Sequence, residues 1–342
     1  MGLRSFAGLA VASALIFVPN MAYAGEFPGD PCATEGQVVA LGGGAIKCTG
    51  GTWQPSLETL DSGSTGASTV KQAKNFKSVG TALSAATFNS PDKQVADVTA
   101  IRLPNGKVKI FVYVANQFVR SATSTNKKGT SFVADPTSIL SGAVAGQPRV
   151  VSLGGDSMRL FYIEGGNINA AISNDGGVTF TKEGPVITTA QAGFEPGGLT
   201  VIKQGAGYRG YFSNLEKPGE RAFRVMRTAT SKDMLNWSLG PEITGASGTI
   251  KDGGSHPFAV IDKKGKIALY YAGDRGSFYG ILVSTSKNGV TFSKEKSVMT
   301  RGGDPDILPT GKNSGLMYYG DDLGAELGFG IKVAKSTGKI VP

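Results

Sequence analysis

Short apolar stretches alternate with glycine-rich and polar turns along most of the chain, and this pattern repeats. A polar motif recurs five times, and its serines are Ser124, Ser173, Ser231, Ser286 and Ser336, about 50 residues apart. Two apolar stretches precede each motif, and the first of each pair is KIFVYV (109–114), MRLFYI (158–163), YRGYFS (208–213), KIALYYAG (266–273) or GLMYYGD (315–321). Short strands with turn signals at this period are typical of a β-propeller with four strands per blade. The pattern therefore predicts an all-β fold with five blades.

The two ends of the repeat region predict how the ring closes. The last repeat ends shortly after Ser336 and has no fourth strand of its own. The stretch FKSVGTALSAATF (76–88) precedes the first full repeat and is suited to supply that strand. The propeller is therefore expected to span residues 76–342, with its two ends joined in one blade.

The N-terminus has the pattern of a cleavable signal peptide. Arg4 provides the positive charge, residues 6–18 form an apolar segment, and Ala22-Tyr23-Ala24 is a cleavage site before Gly25. The apolar segment is shorter than the ~20 residues that a membrane-spanning helix needs. We therefore expect residues 1–24 to be removed, and the mature protein to be secreted or periplasmic without a membrane span.

Two cysteines lie in a short segment before the propeller. In an oxidising compartment Cys32 and Cys48 are expected to pair, and a loop of this size contributes about 3 kcal/mol in the chain-entropy model. Residues 25–55 are thus predicted to form a disulfide-stapled module, most simply a β-hairpin, and residues 56–75 a Ser/Gly/Thr-rich linker. The segment CATEGQVVALGGGAIKCTGGTWQ also resembles a short Cys-Trp module of bacterial pilus and surface proteins.

Composition narrows the classes of partner and cofactor. One histidine and two cysteines exclude a multi-histidine zinc site, a zinc finger and an iron–sulfur cluster, and 40% hydrophobic content excludes global disorder. The net charge of +9 suits a glycan or another anionic extracellular polymer. The sequence has no nucleic-acid-binding motif, and a monomer is expected.

The motif SNDGGVTF, at residues 173–180, resembles the Asp-box of sialidases and many other propellers. Its side chains hydrogen-bond the backbone of a hairpin turn, and its aromatic residue packs between sheets. This resemblance implies structural roles, away from the channel mouth, for Ser173, Asp175, Gly177, Phe180, Asp233 and Trp237.

Polar residues occur where the predicted inner strands begin at the channel mouth. We aligned the five strand starts VADVTAI, QPRVVSL, FEPGGLTVI, SHPFAVI and DPDILPT. The residues at equivalent positions are Asp97, Arg149, Glu195, His256 and Asp306, and Asp304 lies two residues before Asp306. In strands that are otherwise apolar, these residues form a candidate functional site. The alternative is that they only line a water-filled channel.

At these residues the chain resembles the five-bladed glycoside hydrolases of family 43, the arabinanase and xylosidase group. The resemblance implies that Asp97 is the general base, Glu195 the general acid, and His256 a channel residue that helps to hold a metal or water. Arg149 stands where the family has an aspartate that raises the pKa of the acid, and an arginine there would lower that pKa. Asp306 is the reserve catalytic carboxylate.

Several further assignments complete the predicted site. Arg149, His256, Phe194, Phe278 and Tyr279 are candidates for substrate binding. No cofactor is certain, but calcium in the channel is a candidate, with Asp304, Asp306 and His256 as ligands, and solvated turn aspartates are the alternative.

The sequence thus favours an exported glycoside hydrolase with a carboxylate pair at the channel mouth. The alternative is a carbohydrate- or surface-binding propeller without catalysis, similar to an adhesin. A sialidase is less favoured, because the chain lacks the Phe/Tyr-Arg-Ile-Pro tetrapeptide and sialidases usually have six blades.

Overall fold

The computed structural model describes residues 34–36, 38–41, 44–56, 75–136, 139–140, 145–215, 224–245, 254–275 and 278–342. The predicted signal peptide, Cys32 and most of the linker lie outside these residues, so cleavage, the disulfide and the domain boundaries there stay predictions. Near the N-terminus the chain forms a three-stranded antiparallel sheet of Val38–Leu41, Gly44–Thr49 and Thr52–Ser56, one strand more than the predicted hairpin.

Residues 76–342 fold as the predicted five-bladed β-propeller, in which each blade is a four-stranded antiparallel sheet and the first strands contact one another around the axis. Blade 1 contains Val95–Arg102, Val108–Val114, Phe118–Ser124 and Phe132–Ala134. Blade 2 contains Gly146–Gly154, Ser157–Glu164, Asn167–Ser173 and Thr181–Ile187. Blade 3 contains Pro196–Gln204, Gly207–Leu215, Arg224–Ser231 and Trp237–Glu242.

Blade 4 contains Gly254–Ile261, Ile267–Arg275, Phe278–Ser286 and Lys296–Met299. Blade 5 contains Gly303–Pro309, Gly315–Asp322, Phe329–Ser336 and Phe76–Leu83. The smaller elements are a parallel pair of Thr244–Gly245 with Thr291–Phe292, a 3-10 helix at Ala85–Phe88 and an α-helix at Thr189–Ala192. In the described ranges, no helix has the length and apolar character needed to cross a membrane.

The ring closes as the sequence predicted. Phe76–Leu83 pairs antiparallel with Phe329–Ser336 and completes blade 5. Just outside this pairing, the Thr337 N–H donates to the Asn75 carbonyl at 2.7 Å. Both ends of the propeller are therefore held in one sheet, so the ring opens only if this pairing breaks.

Adjacent blades are joined by a repeated contact between aromatic rings. In each blade, an aromatic residue close to the fourth strand packs edge-on against an aromatic residue of the preceding blade's second strand. Ring centroids are 5.6–6.3 Å apart, and the pairs are Phe132–Tyr318, Phe180–Phe111, Trp237–Phe161, Phe292–Tyr211 and Phe76–Tyr270. The tyrosine hydroxyls extend the contact, because Tyr211 donates to the Gly289 carbonyl and Tyr318 to the Gly129 carbonyl of the neighbouring blade's turn.

The repeated polar turns hold these aromatic residues in place. In the turn at 173–180, the Ser173 hydroxyl donates to Asp175 Oδ1, and Gly177 N–H donates to the Ser173 hydroxyl. Burial would raise the pKa of Asp175, but hydrogen bonds from Thr179, Ser173 and Val178 lower it to about 2. Ser231 and Asp233 make the same bond in the next repeat, at 3.0 Å.

We expect the aromatic contact at the closing strand to contribute strongly to stability. Phe76 is 9% exposed and packs on Tyr270, so Phe76→Ala should lower the free energy of unfolding by about 3–5 kcal/mol. Val79 lies on the same strand but is 51% exposed, so Val79→Ala should change that free energy by less than about 0.5 kcal/mol. Urea unfolding of both variants measures the difference, and equal effects would contradict the role of this contact.

Candidate functional site

Each first strand contains an irregularity at the same place near the channel mouth. The strand register shifts there by one residue, as in a β-bulge, and one residue has a left-handed backbone with φ between 46° and 64°. These five residues, which we call the upper ring, are Asp97, Gln147, Gly198, His256 and Asp304. A bulge redirects a side chain relative to a regular strand.

Four members of the upper ring are not glycine, and each such residue in a left-handed conformation costs of order 1–3 kcal/mol. In three blades the next residue is a proline, namely Pro148, Pro257 and Pro305. Proline lacks an N–H and is tolerated at a bulge, where a ladder hydrogen bond is missing anyway. The same strained position is therefore kept around the ring with different side chains.

Blades 4, 5 and 1 bring three of these side chains together. His256 Nδ1 lies 3.0 Å from Asp304 Oδ1, and His256 Nε2 lies 3.4 Å from Asp97 Oδ1. One ligand-type atom from each residue lies within 4.8 Å of the other two. The side chains are 12–17% exposed, so they are largely desolvated but still reach solvent. Blades 2 and 3 contribute Gln147 and Gly198 at the corresponding positions, so the charged groups occupy one side of the channel.

Neighbouring groups fix the orientation of this cluster. The Gln147 N–H donates to Asp97 Oδ2 at 3.3 Å, and the His256 N–H donates to the Ser213 hydroxyl at 3.1 Å. The Ser255 hydroxyl lies 3.0 Å from His256 Nδ1. Burial, and then the nearby Asp304 carboxylate, raise the pKa of Asp97, and the charges of His256 and Arg149 oppose this change.

A second set of residues lies two positions further along each first strand. We call it the lower ring, and its members are Thr99, Arg149, Thr200, Phe258 and Asp306. Three of these side chains accept a backbone N–H from the next blade. Val150 N donates to the Thr99 hydroxyl and Ala259 N to the Thr200 hydroxyl, both at 3.1 Å, and Ala100 N donates to the Asp306 carboxyl. The lower ring therefore joins the blades below the cluster.

The two charged members of the lower ring are fully enclosed. Asp306 is 0% exposed, accepts the Thr99 hydroxyl at 2.7 Å, and burial raises its pKa to about 7 against the opposing effect of Arg149. Arg149 is 1% exposed, and its Nη1 donates to the Val98 carbonyl at 2.9 Å. Neither side chain reaches solvent, so both lie below the cluster and are not open to the channel mouth.

The structure corrects the sequence alignment of the channel positions. Arg149 and Asp306 are not equivalent to Asp97 and His256 but lie one layer deeper, and Gln147 and Asp304 take the expected places. In blade 3 the equivalent residue is Gly198, three residues after Glu195. The X-Pro dipeptides at 147, 256 and 304 are the signal that would have aligned blades 2, 4 and 5 correctly.

Glu195 lies on the rim of the mouth, outside the cluster. It is exposed, and a Cβ added at Gly166 in the blade 2 hairpin would lie 3.1 Å from Glu195 Oε1. Among the described residues no ion pair links Glu195 to Arg149. Phe194 is half-buried beside it, whereas the side chains of Phe278 and Tyr279 lie outside the described part of the chain.

The candidate metal ligands in the structure differ from those expected from the sequence. The structure groups His256 and Asp304 with Asp97 instead of Asp306. Asp306 bonds to Thr99 in the lower ring, so it is not part of the group that is open to the mouth.

The two lower-ring threonines provide a matched test of the framework. Thr200→Val leaves the buried Ala259 N–H without an acceptor and should lower the free energy of unfolding by about 1–3 kcal/mol. Thr99→Val removes the acceptor of the Val150 N–H and one of the two donors to Asp306, so the loss should be about twice as large. Chemical denaturation of the two variants measures this, and a larger loss for Thr200→Val would contradict the assignment.

No protein-family model matches the sequence, and no curated protein matches it. Solved structures do resemble the fold. An α-L-arabinofuranosidase from Podospora anserina has a TM-score of 0.55 at 12% identity, covering 79% of this chain and 99% of that one. A GH43_1 enzyme from Xanthomonas citri has a TM-score of 0.52 at 14% identity, covering 70% and 87%.

An N-acetylgalactosamine deacetylase from F. plautii has a TM-score of 0.51 at 12% identity, covering 79% of this chain and 95% of that one. At identities this low, the likeness concerns the path of the backbone and not the chemistry of particular residues. The chain therefore shares the β-propeller fold of these glycan-acting enzymes.

Proposed function

We propose that this chain is an exported glycoside hydrolase that cleaves a linkage in a cell-wall or extracellular glycan at the channel mouth. The observation that carries the proposal is the cluster of Asp97, His256 and Asp304, which three blades place together in strained left-handed conformations. Strain of this kind is concentrated at functional sites. The fold supports the proposal as well, because propellers of similar structure include enzymes named for action on glycans.

In this proposal Asp97 is the general base. Its Oδ2 is held by the Gln147 N–H, and its Oδ1 faces His256, so the carboxylate has a fixed orientation. Burial and Asp304 raise its pKa, which makes it a stronger base than an exposed aspartate. His256 positions the carboxylate, and Ser255 and Ser213 in turn position His256.

The second carboxyl group is proposed by elimination. An inverting glycosidase needs two carboxyl groups about 6.5–9.5 Å apart, so that water fits on one side of the sugar. Ligand-type oxygens of Asp97 and Asp304 lie within 4.8 Å of each other, which is too close for such a pair. Asp306 is 0% exposed and does not reach a substrate. Glu195 on the exposed rim is therefore the proposed general acid.

The competing proposal is a carbohydrate-binding propeller without catalysis. One observation favours it: where the family resemblance leads us to expect a second aspartate and the acidic glutamate, the upper ring has Gln147 and Gly198. A sialidase is disfavoured by the five blades, since six are usual in that class. The two proposals differ in whether the mouth turns over a substrate or only retains it.

An assay with aryl furanosides, pyranosides and sialosides separates these proposals. Wild-type protein should release the aryl group from at least one substrate, and Asp97→Asn should lower kcat about 10²–10⁴-fold because it removes the base. Glu195→Gln should lower it by a similar factor. Asp322→Asn is the control at another mouth aspartate, and it should retain wild-type turnover, since an asparagine Oδ1 still accepts the Gly324 N–H.

Two results would contradict the hydrolase. One is no turnover of any substrate by the folded wild-type protein while it binds on a glycan array. The other is turnover that Asp97→Asn leaves unchanged.

A further inference from the structure

We propose that Asp97, His256 and Asp304 bind one divalent transition-metal ion at the channel mouth. This inference deepens the proposed function, but it concerns binding and is measured without turnover. It also revises the ligand set expected from the sequence, because Asp97 replaces Asp306.

The geometry of the three side chains carries the inference. One ligand-type atom from each lies within 4.8 Å of the other two. His256 Nε2 lies 3.4 Å from Asp97 Oδ1, and His256 Nδ1, on the other side of the ring, lies 3.0 Å from Asp304 Oδ1. Tetrahedral ligands at about 2.1 Å from one metal ion lie about 3.4 Å apart. His256 Nε2 and Asp97 Oδ1 already have this spacing, and Asp304 completes the set when its carboxylate turns from Nδ1 towards the ion. The residues come from three separate blades, so the completed ring of the propeller assembles the group.

The histidine has a suitable second contact. A metal-binding imidazole uses one nitrogen for the metal and usually hydrogen-bonds through the other, which fixes its orientation. Nε2, the nitrogen close to Asp97, is the one assigned to the metal, and Nδ1 lies 3.0 Å from both the Ser255 hydroxyl and Asp304 Oδ1. The His256 backbone is held as well, by its N–H bond to Ser213. The imidazole is therefore oriented before any ligand binds.

Charge gives an independent reason for a cation. Two carboxylates lie on either side of one imidazole, and all three side chains are more than four-fifths buried. Like charges repel strongly in such a poorly solvated place. A divalent cation between them would neutralise both carboxylates, whereas a protonated histidine neutralises only one.

The donor set also selects the class of metal. Calcium and magnesium are bound by oxygen atoms, whereas zinc, manganese and iron(II) accept an imidazole nitrogen together with carboxylates. Three protein ligands leave open positions for water and a substrate oxygen, as in catalytic metal sites. When bound, an ion of this class would act as a Lewis acid and lower the pKa of its bound water, so the ion would take over the activation of water that the proposed function assigns to the free Asp97 carboxylate. The donor set therefore favours a transition metal over the calcium that was a candidate from the sequence.

The test measures binding on the full exported chain. The protein is stripped with a chelator, dialysed, and titrated separately with Zn²⁺, Mn²⁺, Co²⁺ and Ca²⁺, and bound metal is counted by plasma mass spectrometry. We expect one Zn²⁺ or Co²⁺ per chain, a visible Co²⁺ absorption that reports a site of low coordination number and that changes in His256→Gln, and much weaker Ca²⁺ binding. His256→Gln and Asp304→Asn should each weaken Zn²⁺ binding at least about a hundredfold. Asp322→Asn, at another mouth aspartate, should bind like wild type.

The outcomes separate this inference from the proposed function. Substoichiometric binding of all four metals, or Zn²⁺ binding that survives His256→Gln, would overturn the metal site even if glycoside turnover is observed. Preferential Ca²⁺ binding would overturn the assignment of metal class. One-to-one Zn²⁺ binding lost in both variants supports the site, even if every glycoside assay is negative. Circular dichroism of each variant shows that lost binding is not lost folding.

Discussion

Each blade of this propeller packs on the preceding blade through an edge-on pair of aromatic side chains, and the arrangement of the blades depends on these contacts. The blades are separate sheets, and the edge-on pairs, such as Trp237 with Phe161, fill the space between them. Such contacts are favourable only when the two sheets are correctly juxtaposed. The last pair is supplied by Phe76, which arrives from the other end of the domain. The packing of all five blades is therefore completed by one strand, Phe76–Leu83.

The closed ring offsets the free-energy cost of the strained backbone at the channel mouth. Left-handed residues such as Asp97 and His256 cost free energy and break the strand ladders. Hydrogen bonds between blades offset that cost directly below, where Thr99 and Thr200 accept N–H groups of the next blade. The lower ring fixes the spacing of the first strands, and the upper ring then presents its side chains at defined separations.

The chemistry of the mouth follows from which blades carry charge. Blades 4, 5 and 1 supply two carboxylates and an imidazole, whereas blades 2 and 3 supply Gln147 and Gly198. At this level the other side of the channel is therefore uncharged. The arrangement differs from a simple pair of carboxylates facing each other, because the imidazole lies between Asp97 and Asp304. This is why the metal inference and the glycosidase proposal concern the same atoms but are tested separately.

The sequence by itself determined the repeat, the number of blades and the closing strand, because strand and turn signals are local and recur with the period of a blade. It also pointed to Asp97 and His256 as channel residues. Only the tertiary structure decided which residues share a ring. A bulge shifts the register by one residue, and the X-Pro dipeptide that marks it in blades 2, 4 and 5 is absent from blades 1 and 3. The sequence alignment therefore places Arg149 and Asp306 level with residues that lie one layer above them. Whether side chains from three distant segments meet depends on the closed ring, and that is set by packing between blades.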